Sequence, residues 1–182
     1  MLAGIVAFVA KHAGKERPIA IRVLSLILGI ITFLVVAPLA IGAVGHLVAR
    51  LAQVRASRAL EVPLGVSGIA LGLLFLLWSV SAFWFVGKGT PVPFASPTRL
   101  VTSGPFRYTR NPIKLGAILF YFGIGTICDQ LVTGLTMLVL GSILGSIYHK
   151  CVEEKELVMR FGKEYEDYRK RTSFLLPLPP RQ

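Results

Sequence analysis

Acidic residues, cysteine and histidine are all scarce in this sequence. Its 182 residues include 9 aspartates and glutamates against 20 lysines and arginines, with only 2 cysteines and 3 histidines. Cys128 and Cys151 form no Cys-x-x-Cys pair, and no Cys/His ligand spacing is present. The sequence therefore supports neither a disulfide framework nor a zinc site, and we expect no metal in its function.

The shortage of acidic residues leaves a formal net charge of +11. In a soluble protein, this charge would suggest a nucleic-acid partner. Here the cations flank long apolar runs, which suits anionic lipid headgroups and control of topology. We therefore expect membrane lipids, and not nucleic acid, as partners, while the oligomeric state stays open.

Hydrophobic residues make up 54% of the chain, more than a soluble domain of this size can bury. Because they are gathered into long runs, we predict an all-α integral membrane protein with a single domain over 1–182. About four transmembrane helices are expected, at 23–48, 62–86, 112–127 and 131–148.

Three further segments complete this expected organisation. Residues 1–18 are predicted to be an N-terminal interfacial segment, because the apolar stretch 1–10 lacks both a preceding cation and a clear cleavage site. Residues 87–111 contain several prolines and predict a loop. Residues 149–182 are charged and amphipathic, and predict a helical tail that Gly162 interrupts.

The distribution of cations predicts the orientation of the chain. Lysines and arginines are concentrated in the loop 87–111 and in the tail, whereas the turn 128–131 has none. We therefore expect the loop and tail to face the cytoplasm, in a bacterial or archaeal inner membrane. Arg50, Arg55 and Arg58 lie in the connector predicted to be outside, and they oppose this assignment.

The segment 104–116 is basic, aromatic and broken by proline, and it ends on the first turn of an apolar helix. The predicted hairpin brings Asn111 and Lys114 close to His149 and Glu153, which share a helix face at positions i and i+4. Ionisable groups at the end of a membrane helix are costly unless they are paired or hydrated. The pattern favours a site at the membrane surface, with simple snorkelling and salt bridges as the alternative.

Residues 100–112 resemble a motif of the isoprenylcysteine carboxyl methyltransferase family, which is grouped with the membrane phospholipid methyltransferases. The resemblance covers about 88–177 and continues beyond the predicted hairpin. The later matches, in order and spacing, are Glu153, Glu154, Phe161, Gly162, Tyr165 and Tyr168.

The resemblance implies methyl transfer from S-adenosylmethionine to a lipidic or small hydrophobic acceptor, at a pocket that the loop and the C-terminal helices cap. The acceptor would be an isoprenylcysteine-like carboxylate, a thiol or an amine. The catalytic positions that it implies are His149, Glu153 and Arg110. The implied cofactor positions are Thr98, Arg99, Leu100, Val101, Phe106, Tyr108, Asn111, Pro112, Ile113, Lys114, Glu153 and Glu154.

Three positions depart from the family pattern. Asn111 replaces the usual histidine, which is a mild change because asparagine occurs there in bacterial relatives. Lys114 replaces a tyrosine; it can pair with the cofactor carboxylate but cannot stack as a phenol does. His149 replaces an arginine that faces the substrate carboxylate in the eukaryotic enzymes. A histidine can pair with a carboxylate when protonated or act as a general base when neutral, so the acceptor atom stays open and an amine or thiol gains weight.

Two other functions remain as alternatives. The first is a membrane reductase on the related sterol-reductase scaffold, which would use NADPH in a similar pocket. The second is a non-catalytic lipid-binding membrane protein, in which Lys114 marks a site that has lost its activity.

Overall fold

A computed structural model describes residues 16–92 and 95–180 of the chain. Residues 1–15 of the interfacial segment predicted at 1–18 lie outside the described residues. The described chain is helical and contains no β-strand, which confirms the predicted all-α class. Its helices are α1 (Ile19–Ala52), α2 (Arg58–Phe85), α3 (Pro112–Cys128), α4 (Leu131–Phe161) and α5 (Lys163–Arg171).

Three of these helices, α1, α2 and α4, are long and apolar enough to cross a membrane. Helix α3 is also apolar but has only 17 residues. At a rise of about 1.5 Å per residue it extends roughly 26 Å, which is at the short end for a spanning helix. The prediction of a helical integral membrane protein is confirmed, with three long spans and one shorter apolar helix.

The helices differ from the predicted segments mainly at their ends. Helix α4 does not stop before His149 but continues through a π-helical turn, His149–Glu153, to Phe161. Gly162, at φ +50°, then separates α4 from α5. Helix α5 ends at Arg171, and residues 172–180 are not helical, although they belong to the predicted helical tail. Within them, Pro177, Pro179 and Pro180 lack the N–H groups that a helix requires.

The described chain divides into two compact units. The first comprises the described parts of Met1–Gly29, Leu77–Ile113 and Ser146–Gln182. The second comprises Ile30–Leu76 and Lys114–Gly145. The first unit contains the motif and the ion pairs of the candidate site. The second unit contains closely packed apolar helices.

Glycines allow the backbones of α2 and α3 to approach closely in the second unit. A Cβ atom on Gly72 would lie 2.6 Å from the backbone nitrogen of Phe120 and 2.8 Å from the carbonyl oxygen of Gly116. Gly65 and Gly68 face the same helix at similarly short range. Small residues promote helix association in lipid by this close backbone contact.

A π-helical turn interrupts α1 at Ile31–Val36, just before Pro38. The N–H of Ala37 donates to the carbonyl five residues earlier, so the next carbonyl, that of Phe33, faces a proline that has no N–H. The hydroxyl of Tyr121 on α3 donates to this carbonyl, with an O–O distance of 2.6 Å. This contact satisfies the polar group that proline leaves unpaired.

Candidate functional site

The segment 104–111 leads into α3 through a tight turn. Gly104–Arg107 forms one turn of 3-10 helix, and Gly104 has a φ of +61°. A Cβ atom on Gly104 would lie 3.3 Å from the indole nitrogen of Trp78, so both the backbone angle and the space favour glycine. Helix α3 then begins at Pro112, where the missing N–H is not needed.

Aromatic side chains fix the middle of this segment. Phe106 is buried and stacks on Phe83, with ring centroids 4.6 Å apart. The hydroxyl of Tyr168 donates to the Phe106 carbonyl at 2.6 Å, and burial raises the pKa of Tyr168, which keeps this donor protonated. Tyr108 is 39% exposed, with its ring centroid 6.4 Å from that of Trp78. Phe106 is therefore a buried anchor, whereas a ligand can reach the ring of Tyr108.

Residues 172–180 follow α5 without helical structure and bend at 174–176, and we call this segment the C-terminal strap. The backbone N–H of Arg110 donates to the carbonyl of Ser173 at 2.9 Å. The N–H of Leu178 donates to the carbonyl of Tyr108 at 3.0 Å. The strap thus contacts the motif through one isolated parallel β-bridge, between Thr109 and Ser173, and through the N–H of Leu178.

Asn111 also binds the strap. Its side-chain amide donates to the carbonyl of Phe174 at 2.8 Å, and the hydroxyl of Thr109 donates to the same carbonyl at 3.3 Å. Both Asn111 and Thr109 are buried. In this structure the side chain of Asn111, a predicted cofactor residue, therefore holds the C-terminal strap in place.

Arg110 and Glu154 form the central ion pair of the site. A guanidinium nitrogen of Arg110 lies 2.7 Å from a carboxylate oxygen of Glu154, and both side chains are largely buried. Arg110 also donates to the hydroxyl of Tyr165 at 3.4 Å, while Arg169 lies 3.8 Å from the second oxygen of Glu154. Burial, reinforced by the negative charge of Glu154, raises the pKa of Tyr165 despite the opposing effect of Arg110. This pair joins the first half of the motif to the second.

His149 and Glu153 form the second pair, within the π-helical turn of α4. The Nδ1 atom of His149 is hydrogen-bonded to a carboxylate oxygen of Glu153. His149 is buried, whereas 44% of the Glu153 side chain is exposed. The Nε2 atom of His149 is buried without a hydrogen bond to the described residues and lies 3.8 Å from Glu154. The ring of Phe174 on the strap meets the imidazole edge-on, with centroids 5.4 Å apart.

The residues predicted at 98–101 have a different setting. The N–H of Thr98 donates to the carbonyl of Gly87 at 2.8 Å, and Val101 is buried. Leu100 is half-buried, and Arg99 is exposed. These contacts fold the loop back on the end of α2, and none of those described joins 98–101 to Arg110 or to His149.

Lys114 belongs to the second unit, one residue beyond Ile113, the last residue of the first unit. The methylene groups of its side chain run past Gly145, where a Cβ atom would lie 3.2 Å from the Lys114 Cδ atom. Its predicted contact with the cofactor remains a prediction from its motif position.

Sequence reasoning missed two residues that shape the site. The Arg160 guanidinium pairs with Glu156 at 2.6 Å and donates to the carbonyl of Pro97, so it ties α4 to the loop. Phe174 places its ring beside His149, Arg110 and Lys150. The one signal for Phe174 was a short apolar run that follows the basic helix α5. Within the part of the chain that the structure describes, no three His, Cys, Asp or Glu side chains gather as metal ligands.

The sequence of this chain was compared with those of known proteins and protein families. A family model described as phospholipid methyltransferase matches residues 60–164, more than half of the chain. The matched range includes most of α2, the segment 104–111 and both members of each of the two ion pairs.

A shorter stretch is similar to a methanethiol S-methyltransferase of Mycobacterium tuberculosis, with 29% identity over 76 residues. These residues make up 42% of this chain but only 30% of that protein, so the similarity spans less than a third of the relative. No solved structure matches the chain.

Proposed function

This chain belongs to the phospholipid methyltransferase family, and on that premise we propose that it transfers a methyl group from S-adenosylmethionine to a lipidic or small hydrophobic acceptor at the membrane surface. The observation that carries the proposal is the ion pair between Arg110 and Glu154, 2.7 Å apart. It unites the two halves of the family motif, which lie 44 positions apart in sequence. We expect the site to face the cytoplasm, in agreement with the cations of the loop and the tail.

The two neighbouring glutamates suit different tasks. Glu154 is held by Arg110 and is largely buried, so we assign it to positioning the motif. Glu153 is 44% exposed, and its carboxylate suits the ammonium group of the donor. The reachable ring of Tyr108 suits the adenine or the positively charged sulfur. When bound, the donor supplies a methyl group activated by a sulfonium centre.

We assign the remaining cofactor positions to the lining of the same pocket. Two stretches of backbone would contribute shape and hydrogen bonds, and the buried ring of Phe106 would support them. These stretches are Thr98, Arg99, Leu100 and Val101, and Asn111, Pro112 and Ile113. Lys114 is assigned to the donor carboxylate on its motif position alone.

His149 is proposed as the base that accepts a proton from the methyl acceptor. Its Nδ1 atom is bound to the Glu153 carboxylate, which orients the ring and leaves Nε2 as the atom that can take a proton. A thiol or an amine must lose a proton in the course of methylation, whereas a carboxylate has none to lose at neutral pH. We therefore favour a thiol or amine acceptor, and the name of the methanethiol S-methyltransferase relative supports a thiol.

Donor binding can be tested by titrating S-adenosylhomocysteine into the purified chain in a calorimeter. Replacement Glu153→Gln removes the charge that would pair with the ammonium group, and we expect roughly tenfold weaker binding. The control is Glu164→Gln, the same change on an exposed residue of α5, and it should bind as the wild type does. Wild-type protein that binds no S-adenosylhomocysteine would contradict the proposed donor.

The acceptor class can be tested with three probes: a long-chain alkyl thiol, the matching amine and a prenylated cysteine. In a His149→Gln variant we expect donor binding to persist while methylation of the thiol or amine falls by about 10²-fold or more. Methylation of the prenylated cysteine carboxylate alone would overturn the assignment of His149 as a base.

A further inference from the structure

A second group of polar residues belongs to the second unit and includes no residue of the motif. It surrounds a cavity of about 310 Å³ at the end of α1 and the turn between α3 and α4. The polar residues that matter there are His46, Arg50, Arg55, Asp129 and Gln130. Nothing in the proposed methyl transfer uses these residues.

The cavity has an excess of positive charge. Asp129 supplies its one carboxylate, which accepts hydrogen bonds from Thr133 and, at 3.0 Å, pairs with His46. Burial alone would raise the pKa of the Asp129 carboxyl, but these hydrogen bonds and the nearby charge of Arg55 lower it overall. Arg50 and Arg55 are exposed, and neither makes an ion pair with a described residue. Two guanidinium groups are therefore available to an anion.

Gln130 adds an observation independent of charge. The residue is only 9% exposed, and its Oε1 atom is buried without a hydrogen-bond partner in the described chain. A buried amide oxygen without a donor is costly, and most such groups in proteins are satisfied. A ligand that carries hydroxyl donors as well as an anionic group would complete the cavity.

The position of the cavity indicates where such a ligand would come from. Helix α1 ends at Ala52 and α4 begins at Leu131, so the cavity lies at the ends of membrane-spanning helices, at the level of lipid headgroups. On the last turns of α1, Leu47 is 57% exposed and Leu51 is 76% exposed. Apolar side chains next to a cationic cavity suit acyl chains attached to an anionic headgroup.

We propose that this cavity binds the headgroup of an anionic phospholipid, with its phosphate on Arg50 and Arg55 and a headgroup hydroxyl directed toward Gln130. This role also explains why Arg50 and Arg55 occur in a connector that we predict to lie outside the cytoplasm. The cavity shares no residue with the proposed methyl-transfer site, so the inference does not depend on the proposed function.

The test measures thermal stabilisation and binding of the full-length protein with lipids added to neutral detergent micelles. Phosphatidylglycerol should bind in preference to phosphatidylcholine, and the double change Arg50→Gln/Arg55→Gln should weaken its binding roughly tenfold or more. The control Lys155→Gln/Lys163→Gln removes the same charge from exposed positions of the first unit and should stay within about twofold of wild type.

Two further measurements complete the test. Gln130→Leu should stabilise the lipid-free protein, because it removes an unpaired buried amide, yet weaken binding of phosphatidylglycerol. Inorganic phosphate should bind far more weakly than the lipid, and stabilisation by phosphate equal to that by phosphatidylglycerol would overturn the lipid assignment. Equal binding of both lipids, or a double arginine variant that binds as wild type does, would overturn the site itself.

Discussion

Adjacent glutamates in this protein have opposite environments. Glu154 is enclosed by Arg110, Tyr165 and the edge of His149, whereas Glu153 leaves the same turn of α4 toward solvent. Successive side chains of a helix point in directions roughly 100° apart, so Glu153, at the end of the π-helical turn His149–Glu153, and Glu154 after it meet different surroundings. Two adjacent residues can thus divide the work of holding the motif and meeting a ligand.

Removal of the Arg110 guanidinium should leave Glu154 as a largely buried charge without its closest partner. We expect Arg110→Ala to lower the free energy of unfolding by about 3 kcal/mol, because a broken buried pair costs more than the intact pair contributes. The double variant Arg110→Ala/Glu154→Gln should recover part of this loss. Chemical denaturation of the four members of this mutant cycle measures the coupling, and purely additive losses would contradict the pairing.

The sequence indicated part of the site, but not the pairs that its side chains form. The spacing of His149 and Glu153 placed them on one helix face, whereas the motif did not associate Arg110 with Glu154. Order and spacing of the motif did not reveal that Asn111 donates to the Phe174 carbonyl, because that contact depends on the path of a segment with no helical or strand pattern. Nor could they separate the buried glutamate from the exposed one, since both lie in one turn.

At the scale of the helices, close approach of backbones is the main packing device. Glycines on α2 lie against the backbone of α3, at distances that leave no room for a methyl group. In lipid, where apolar side chains gain little by leaving the solvent, such contacts carry much of the specificity of helix packing.

A pair of alanine substitutions tests this device. Gly72→Ala should destabilise the protein by about 1–3 kcal/mol, because its Cβ atom would meet backbone atoms that cannot move aside. Gly42→Ala meets only the flexible Met137 side chain, at 3.6 Å, and should be neutral or slightly stabilising as a helix former. Thermal unfolding in detergent compares the two, and equal melting temperatures would rule out the backbone contact.

Hydropathy predicted the class of the helices better than their ends. Long apolar runs dictate spanning helices in any context, so α1, α2 and α4 were evident. The start of α1 at Ile19 was not evident, because the charge of Arg22 favoured a span that begins after it. In the structure Arg22 donates to the carbonyl of Trp84 at 2.7 Å and lies over its indole ring, so a tertiary partner accommodates the charge inside the helix.

At the scale of the whole molecule, the C-terminal strap is part of the candidate site. The C-terminal strap supplies acceptors to Arg110 and Asn111 and places the ring of Phe174 against His149. Because the Nε2 atom of His149 is buried, entry of an acceptor requires the groups around this imidazole to move. The ring of Phe174 is one of these groups, so we expect access to the proposed base to depend on the conformation of the strap.

A chain that ends at Thr172 should lose these contacts while keeping its helices. We expect faster hydrogen exchange at residues 108–111, since the N–H of Arg110 loses the Ser173 carbonyl as its acceptor. Mass spectrometry of the exchanging protein measures this effect. Residues 65–72 of α2 belong to the second unit and serve as the internal control. Unchanged exchange at 108–111 would show that the strap does not stabilise the motif.

The central claim is that this membrane protein transfers a methyl group from S-adenosylmethionine. It is tested most directly by incubating the purified full-length protein with methyl-labelled S-adenosylmethionine and a membrane lipid extract, and following the label by mass spectrometry. We predict a labelled thioether or methylated amine with the wild type, and none with Glu153→Gln/His149→Gln. A wild-type protein that binds neither donor nor product and labels nothing in the extract would contradict the account.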